Sequence, residues 1–363
     1  MVWYNQYKIL QVKNMQNERQ SNIELCRIFS ILLVILVHSN FAWTGTPGEG
    51  GNESIMRFLV QAFSIIGVNV FVIITGWFST SLKTKSIFNL FYICLFYSIL
   101  KLVWGAVIGS LVLKDVFFIS NSNWFVVSYL GLLLLTPLLN NITQFNKRLH
   151  VCLGGGLLMY EIYFSFFPAL VAIEPGFYHG YSVLSFSILY LIARYLRIYG
   201  IPKWITKISF ILYIFCSFLI GFSAYYIFIN GSKIGLKSSY FIRMYDYNNP
   251  LVIFSAFTFF ISFEKINIEN KKWINHIAKS TLAVLLIHGS AAINPPIKQY
   301  FKQLLERFLE KPFVLCGLWV AGIIVIFILS VLIDQVRIVT YKLIAPKLIN
   351  KIDSIIYTNN NNN

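Results

Sequence analysis

Charge is scarce in this chain. Of its 363 residues only 12% are Asp, Glu, Lys or Arg, while 57% are hydrophobic and the mean hydropathy is +0.67. That excludes a soluble domain, because so much apolar sequence exceeds what a single core can bury. Acidic residues are the scarcer sign: 14 Asp and Glu stand against 30 Lys and Arg, a net charge of +16. The surplus does not point to nucleic acid. Its Lys and Arg lie mostly in short connections between apolar runs, where they set topology and face anionic lipid. Cysteine is sparse too. Cys26, Cys94, Cys152, Cys216 and Cys316 are scattered with no close pair, so neither a disulfide framework nor a zinc site is expected. No Gly-x-Ser-x-Gly elbow occurs, which removes the serine hydrolase reading. His150, His179 and His276 have no partners at metal-ligand spacing, so no metal is expected.

What the chain has in abundance is apolar runs. They fall at about 23–41, 58–78, 87–113, 124–141, 149–170, 181–199, 208–229, 249–263, 280–297 and 313–335, most of them near the roughly 20 residues that cross a bilayer as a helix. The expected fold class is therefore all-α, a polytopic integral membrane helix bundle of about ten spans. Residues 1–22 read as a polar leader, 23–336 as the transmembrane domain and 337–363 as a tail ending in an asparagine run that cannot bury apolar surface. No cleavage pattern follows the first run, which is expected to remain in the protein. Placing both termini in the cytoplasm puts Lys and Arg inside over outside by about two to one. On that count Arg19, Lys83, Lys85 and Lys279 face inward, and Arg57 and Lys298 outward.

The first run carries two ionisable residues, Arg27 and His38, with ten residues between them. Eleven helical steps of about 100° make three turns plus roughly 20°, so both side chains share one helix face, about 16 Å apart along the axis. Ionisable groups within a span usually have a function. Taken singly, each also has a plainer explanation: Arg27 as a snorkelling anchor paired with Glu24, His38 as an interfacial residue. With the N-terminus inside, Arg27 points toward the cytoplasmic end and His38 toward the outer end.

The residues around this pair narrow the choice. Asn22-Ile23-Glu24-Leu25-Cys26-Arg27-Ile28-Phe29-Ser30, leading to Val37-His38, resembles the first helix of the acyltransferase family 3 membrane proteins, marked by an Arg, ten residues and a His. Gly67-Val68-Asn69-Val70-Phe71 followed by Ile74-Thr75-Gly76-Trp77-Phe78 is similar to that family's second helix, with Thr75 and Trp77 where Ser and Tyr are usual. Asn123-Trp124-Phe125 with Leu135-Thr136-Pro137-Leu138-Leu139, and Leu285-Leu286-Ile287-His288, resemble a fourth and a late helix. The pieces occur in order over most of the chain. Position 43, five after His38, is Trp rather than Asp, unlike the glycerolipid acyltransferases.

The resemblance implies transfer of an acyl group, usually acetyl from acetyl-CoA, to a hydroxyl of a cell-surface or exported glycan or lipid-linked sugar, by a multi-pass protein of the bacterial plasma membrane. Arg27 and His38 become its essential pair. A histidine near its ordinary pKa can take the proton of a hydroxyl that attacks a thioester; an acyl-histidine intermediate is the other mechanism open. Arg27 suits the phosphates or arm of the acyl donor, with Lys83 and Lys85 as further cofactor-side cations. His288 and Trp124 are the expected substrate contacts. Glu161 and Lys101, both within spans, are expected to face the interior or each other, and Asn69 to bond across helices. A glycan or lipid-linked sugar translocator would use a similar bundle.

Overall fold

The computed structural model describes residues 19–109, 124–142, 147–167, 177–290 and 293–358; most of the leader and the asparagine run lie outside them. Helices form throughout, and no β-strand occurs among the described residues. In chain order they are α1 (Ser21–Val37, continued by a π-helical turn His38–Ala42), α2 (Ile55–Ser64), α3 (Gly67–Trp77), α4 (Thr84–Val107) and α5 (Trp124–Ile142). Next come α6 (Lys147–Glu161, with a π turn Ile162–Phe166), α7 (Val183–Tyr199), α8 (Lys203–Asn230) and α9 (Pro250–Glu264). The last four are α10 (Lys272–Ile277), α11 (Thr281–His288), α12 (Asn294–Phe308) and α13 (Pro312–Thr358).

Among the described residues seven helical segments are long and apolar enough to cross a membrane: Ser21–Ala42, Ile55–Trp77, Thr84–Val107, Trp124–Ile142, Lys147–Phe166, Lys203–Ile234 and Pro312–Asn350. The other three of the ten expected spans are helical but shorter, each for a local reason. α7 has 17 residues, opening where the Ser182 hydroxyl caps Ser185 N–H and closing at Gly200 with φ +88°. α9 has 15, opening at Asn249, which caps Leu251 N–H, with Pro250 in the first turn. At 1.5 Å per residue these reach only about 26 and 22 Å, short of the roughly 30 Å of hydrocarbon. The expected span 280–297 is two helices. α11 stops after eight residues at His288, and Pro295 and Pro296 belong to the start of α12, where a missing N–H costs nothing.

The short helices α7 and α9 are mostly buried, with α9 against α8, α3 and α1, and α7 against α3, α5 and α6. The outer helices show the reverse. Phe91, Leu95, Ile99, Val103 and Val107 on α4, and Ile324, Ile328, Leu332, Val336 and Val339 on α13, form exposed apolar stripes at helical spacing. Stripes of that extent suit lipid rather than water. α13 runs unbroken through residue 336, so the expected end of the transmembrane domain falls inside a helix of 47 residues.

The segment expected as a single span at 58–78 comprises α2 and α3, parted by a turn at Ile65 and Ile66, after which Gly67 presses on α1. A Cβ there would lie 2.7 Å from the Ser30 carbonyl oxygen and 2.8 Å from Val34 Cγ2. Because the first obstacle is backbone, Gly67→Ala is expected to destabilise the bundle by about 1–3 kcal/mol. Thermal unfolding of the detergent-solubilised variant measures this directly.

Candidate active site

The Arg27–His38 face of α1 lines a cavity of about 760 Å³. Arg27, Ile31, Val34, His38 and Phe41 all border it, at the three- and four-residue steps of one helix face. The stripe thus borders a cavity as well as meeting neighbouring helices, and the cavity extends along α1 between its two ionisable residues.

His38 sits where α1 changes register, as the first residue of the π turn His38–Ala42. Insertions of this kind widen a helix locally and recur at functional sites. Behind the imidazole stands His288, fully buried at the end of α11, with 3.0 Å between His38 Nδ1 and His288 Nε2. The other nitrogen of His288, Nδ1, bonds to the Val284 carbonyl oxygen. A carbonyl only accepts, so His288 carries its proton on Nδ1 and presents a lone pair at Nε2. His38 must then donate from Nδ1, which leaves its own Nε2 unprotonated. Two bonds therefore fix the tautomer of the ring that borders the cavity. Trp43 closes over the pair, its ring centroid 6.2 Å from that of His38 and 6.1 Å from that of His288.

Toward the start of α1 the cavity is cationic. Arg19, Arg27 and Lys279 line it together with Glu24, whose Oε2 lies 3.7 Å from both Arg27 Nε and Arg19 Nη1. Arg27 Nε is buried without a hydrogen-bond partner. Burial, followed by the positive charges of Arg19 and Lys342, pushes the Lys279 ammonium below the usual lysine range, with Glu24 opposing. One carboxylate for three cations leaves a site that an anion would complete.

A family model described as an acyltransferase domain matches residues 20–334. The chain belongs to acyltransferase family 3. No curated protein and no solved structure matched it. Membership in the family makes it an acyltransferase, and its apolar helices make it a membrane protein.

Within this acyltransferase domain the other expected site residues are distributed unevenly. Trp124 borders the cavity, meeting Tyr181 edge to face at 4.3 Å and Tyr247 at a tilt at 5.6 Å between centroids; both tyrosines line the cavity as well. His288 does not border the cavity; it touches His38 instead. Lys83 and Lys85 are exposed and lie off the wall, which α4 supplies through Ser86, Asn89 and Leu90. The cations found beside Arg27 are Arg19 and Lys279, which read from sequence only as topology charges.

Thr75, at the position where the family usually has Ser, lines the cavity and meets the Tyr129 hydroxyl at 3.2 Å. Trp77 is buried away from it, with the Arg197 guanidinium 4.7 Å from its ring centroid. Asn69 does not bond to another helix. Its Nδ2 donates to the Tyr247 carbonyl oxygen at 2.9 Å, fixing the backbone behind that wall residue. Glu161 accepts from Ser185 Oγ. Tyr129, Tyr181 and Tyr247 carried no sequence signal beyond their aromaticity, since their convergence depends on three separate segments.

Proposed function

We propose that this acyltransferase moves an acetyl or related short acyl group from acyl-CoA to a hydroxyl of a cell-surface or exported glycan or lipid-linked sugar. The observation that carries the reading is one cavity with two chemically different regions along α1: an unprotonated imidazole nitrogen at His38, and a cationic cluster about 16 Å away around Arg27. The excess of Lys and Arg in the connections supports an orientation with the Arg27 end in the cytoplasm, where acyl-CoA is made. Arg27, Arg19 and Lys279 hold the donor's phosphates, a task suited to permanent charge and forked donors. Lys83 and Lys85 are exposed and do not border the cavity, so this reading assigns them no part in holding the donor. Trp124, Tyr181 and Tyr247 offer flat apolar faces on which a sugar ring stacks.

In the transfer, the acceptor hydroxyl gives its proton to His38 Nε2 as its oxygen bonds to the thioester carbonyl carbon. The C–S bond then breaks, and the departing sulfur takes the proton back from His38, so charge and protons balance. His288 accepts from His38 Nδ1–H throughout and stabilises the imidazolium while it exists.

Arg27→Ala is expected to raise the KM for acyl-CoA by about 10-fold or more with a smaller change in kcat, since the residue binds the donor away from the reacting atoms. Steady-state kinetics on the purified variant in detergent measures it. Unchanged KM and kcat would remove the role given to Arg27. Glycan composition with and without the protein tests the whole reading. Loss of O-acyl groups with export intact supports it; accumulation of unexported glycan with normal acylation would mark a translocator instead.

A further inference from the structure

A second polar group stands at the His38 end of the cavity. Gln61 of α2 is buried in the protein yet lines the cavity wall. Which atom of its amide faces inward follows from partners whose chemistry allows one answer. The Arg57 guanidinium can only donate, and its Nε meets the Asn40 amide at 3.0 Å, so the atom there is Oδ1. The Asn40 nitrogen, Nδ2, then donates to the Arg57 carbonyl at 2.8 Å, an acceptor only, which agrees from the opposite side. Nδ2 also meets the Gln61 amide at 3.0 Å, and the atom there must be the oxygen, Oε1, because two –NH2 groups would repel. Gln61 therefore turns its Nε2 away from Asn40. That nitrogen has no hydrogen-bond partner among the described residues, and it is not sealed in the core.

The backbone places this donor beside the reacting groups. Gly67 packs on Ser30 and Val34 of α1, whereas Gln61, six residues earlier, reaches Asn40. The two segments run antiparallel, so Gln61 stands level with the His38 end of α1, and both side chains border the cavity there. In the transfer, the acceptor oxygen bonds to the thioester carbonyl carbon and the carbonyl π pair moves onto its own oxygen. That oxygen carries a negative charge until the C–S bond breaks and the pair returns. His38, occupied with the hydroxyl proton, does not meet this charge. A donor aimed at it lowers the barrier most when it is fixed beforehand and shielded from water. Gln61 meets both conditions. Its oxygen accepts from Asn40, which polarises the amide and strengthens Nε2–H as a donor. Arg57, held in place by the Asn52 carbonyl, Thr44 Oγ1 and the Gly45 carbonyl at 2.8 Å each, keeps a positive charge behind the chain.

We propose that Gln61 is a catalytic residue of this acyltransferase: its Nε2 donates a hydrogen bond to the thioester carbonyl oxygen and to the oxyanion that oxygen becomes. Asn40 is the positioning residue that sets the amide in this orientation. The proposal rests on the reading of the cavity as the site of acyl transfer from acyl-CoA, with His38 as the proton acceptor.

The test is Gln61→Met, purified in detergent. Methionine keeps the length and removes the donor, and Asn40 Nδ2 retains the Arg57 carbonyl. The kcat for acyl transfer is expected to fall by about 100-fold, as on loss of one oxyanion donor. KM for acyl-CoA should stay within about two-fold, because under the same reading the donor's phosphates bind at the Arg27 end. A third measurement needs no turnover: the carbonyl stretch of isotope-labelled acetyl-CoA bound without acceptor, read by infrared difference spectra. A hydrogen bond to the carbonyl oxygen lowers that frequency, so wild-type protein should shift it down and Gln61→Met should return it toward the value of free acetyl-CoA. The same frequency in both proteins would overturn the proposal, as would unchanged kcat, or a loss of kcat that only tracks a lower melting temperature. A raised KM for the glycan acceptor at unchanged kcat would place Gln61 on the sugar and overturn it too. Wild-type protein that shows the shift but acylates no glycan would sink the acceptor reading and sustain the donor; failure to bind acetyl-CoA would overturn both. Where Gln61→Met does not fold, Asn40→Asp still accepts from Arg57 but draws the Gln61 –NH2 toward itself. The same fall in kcat and loss of the shift are expected, and wild-type values for both would overturn the proposal.

Discussion

His38→Ala is expected to lower kcat for acyl transfer by about 10²- to 10⁴-fold, the range a positioned general base contributes, while leaving the protein folded and still able to bind acyl-CoA. Two features predict so clean a separation. The imidazole borders an existing cavity, so truncating it enlarges a space that is already open and does not dig a new void in the core. The cationic cluster proposed to hold the donor lies about three helical turns away along α1. Acetyl transfer from radiolabelled acetyl-CoA to a glycan acceptor measures the chemistry, and ligand-induced thermal shift with the same donor measures binding. If His38→Ala turned over at the wild-type rate, the proton acceptor would have to be sought elsewhere on the wall. A histidine that was itself acylated would give the same loss, but wild-type protein quenched during turnover would then carry the acyl group on His38.

The second large effect is expected at His288, a residue that does not border the cavity. His288→Ala should cost about 100-fold in kcat and also destabilise the bundle, because the Val284 carbonyl and the His38 Nδ1 donor both lose a buried partner. Each group left unsatisfied costs about 1–3 kcal/mol. The kinetic loss has its own cause. Without an acceptor at Nδ1, His38 can place its proton on Nε2, and the ring facing the hydroxyl becomes a donor where an acceptor is needed. His288→Gln separates the two effects, since an amide oxygen can accept from His38 Nδ1–H. Recovery of at least about ten-fold of the lost kcat in His288→Gln is the expected result, an amount that an aligned orienting hydrogen bond accounts for. Equal activity in the two variants would show that the bond between the rings has no catalytic consequence.

The residues that decide these predictions were legible to different degrees. The shared face of Arg27 and His38 follows from counting residues, because a helix repeats by arithmetic. The family was visible in the ordered run of short motifs and is shown by the match over residues 20–334. The partnership of His38 with His288 was not, since 250 positions separate the two in sequence and only the packing of α11 against α1 joins them. Nor does any rule of hydropathy announce a π turn at His38. Hydropathy alone did not set α7, α9 and α11 apart from the seven longer segments, because it reports burial in lipid and burial in protein alike. Charges misled in the same way: Lys83, Lys85, Arg19 and Lys279 look equivalent by position, and only the fold turns two of them toward the cavity.

The α1 wall of the cavity has one further consequence. Between Arg27 and His38 the lining residues of that helix are Ile31, Val34 and Val37, all apolar. A slender acyl chain can slide past such a surface, while the polar lining of the cavity comes from other helices, at Gln61, Thr75 and Tyr129 among others. Under the proposed function, one helix of this cavity would guide the acyl chain by its apolar face while groups on other helices orient it, so that passage and positioning are divided between different segments of the chain.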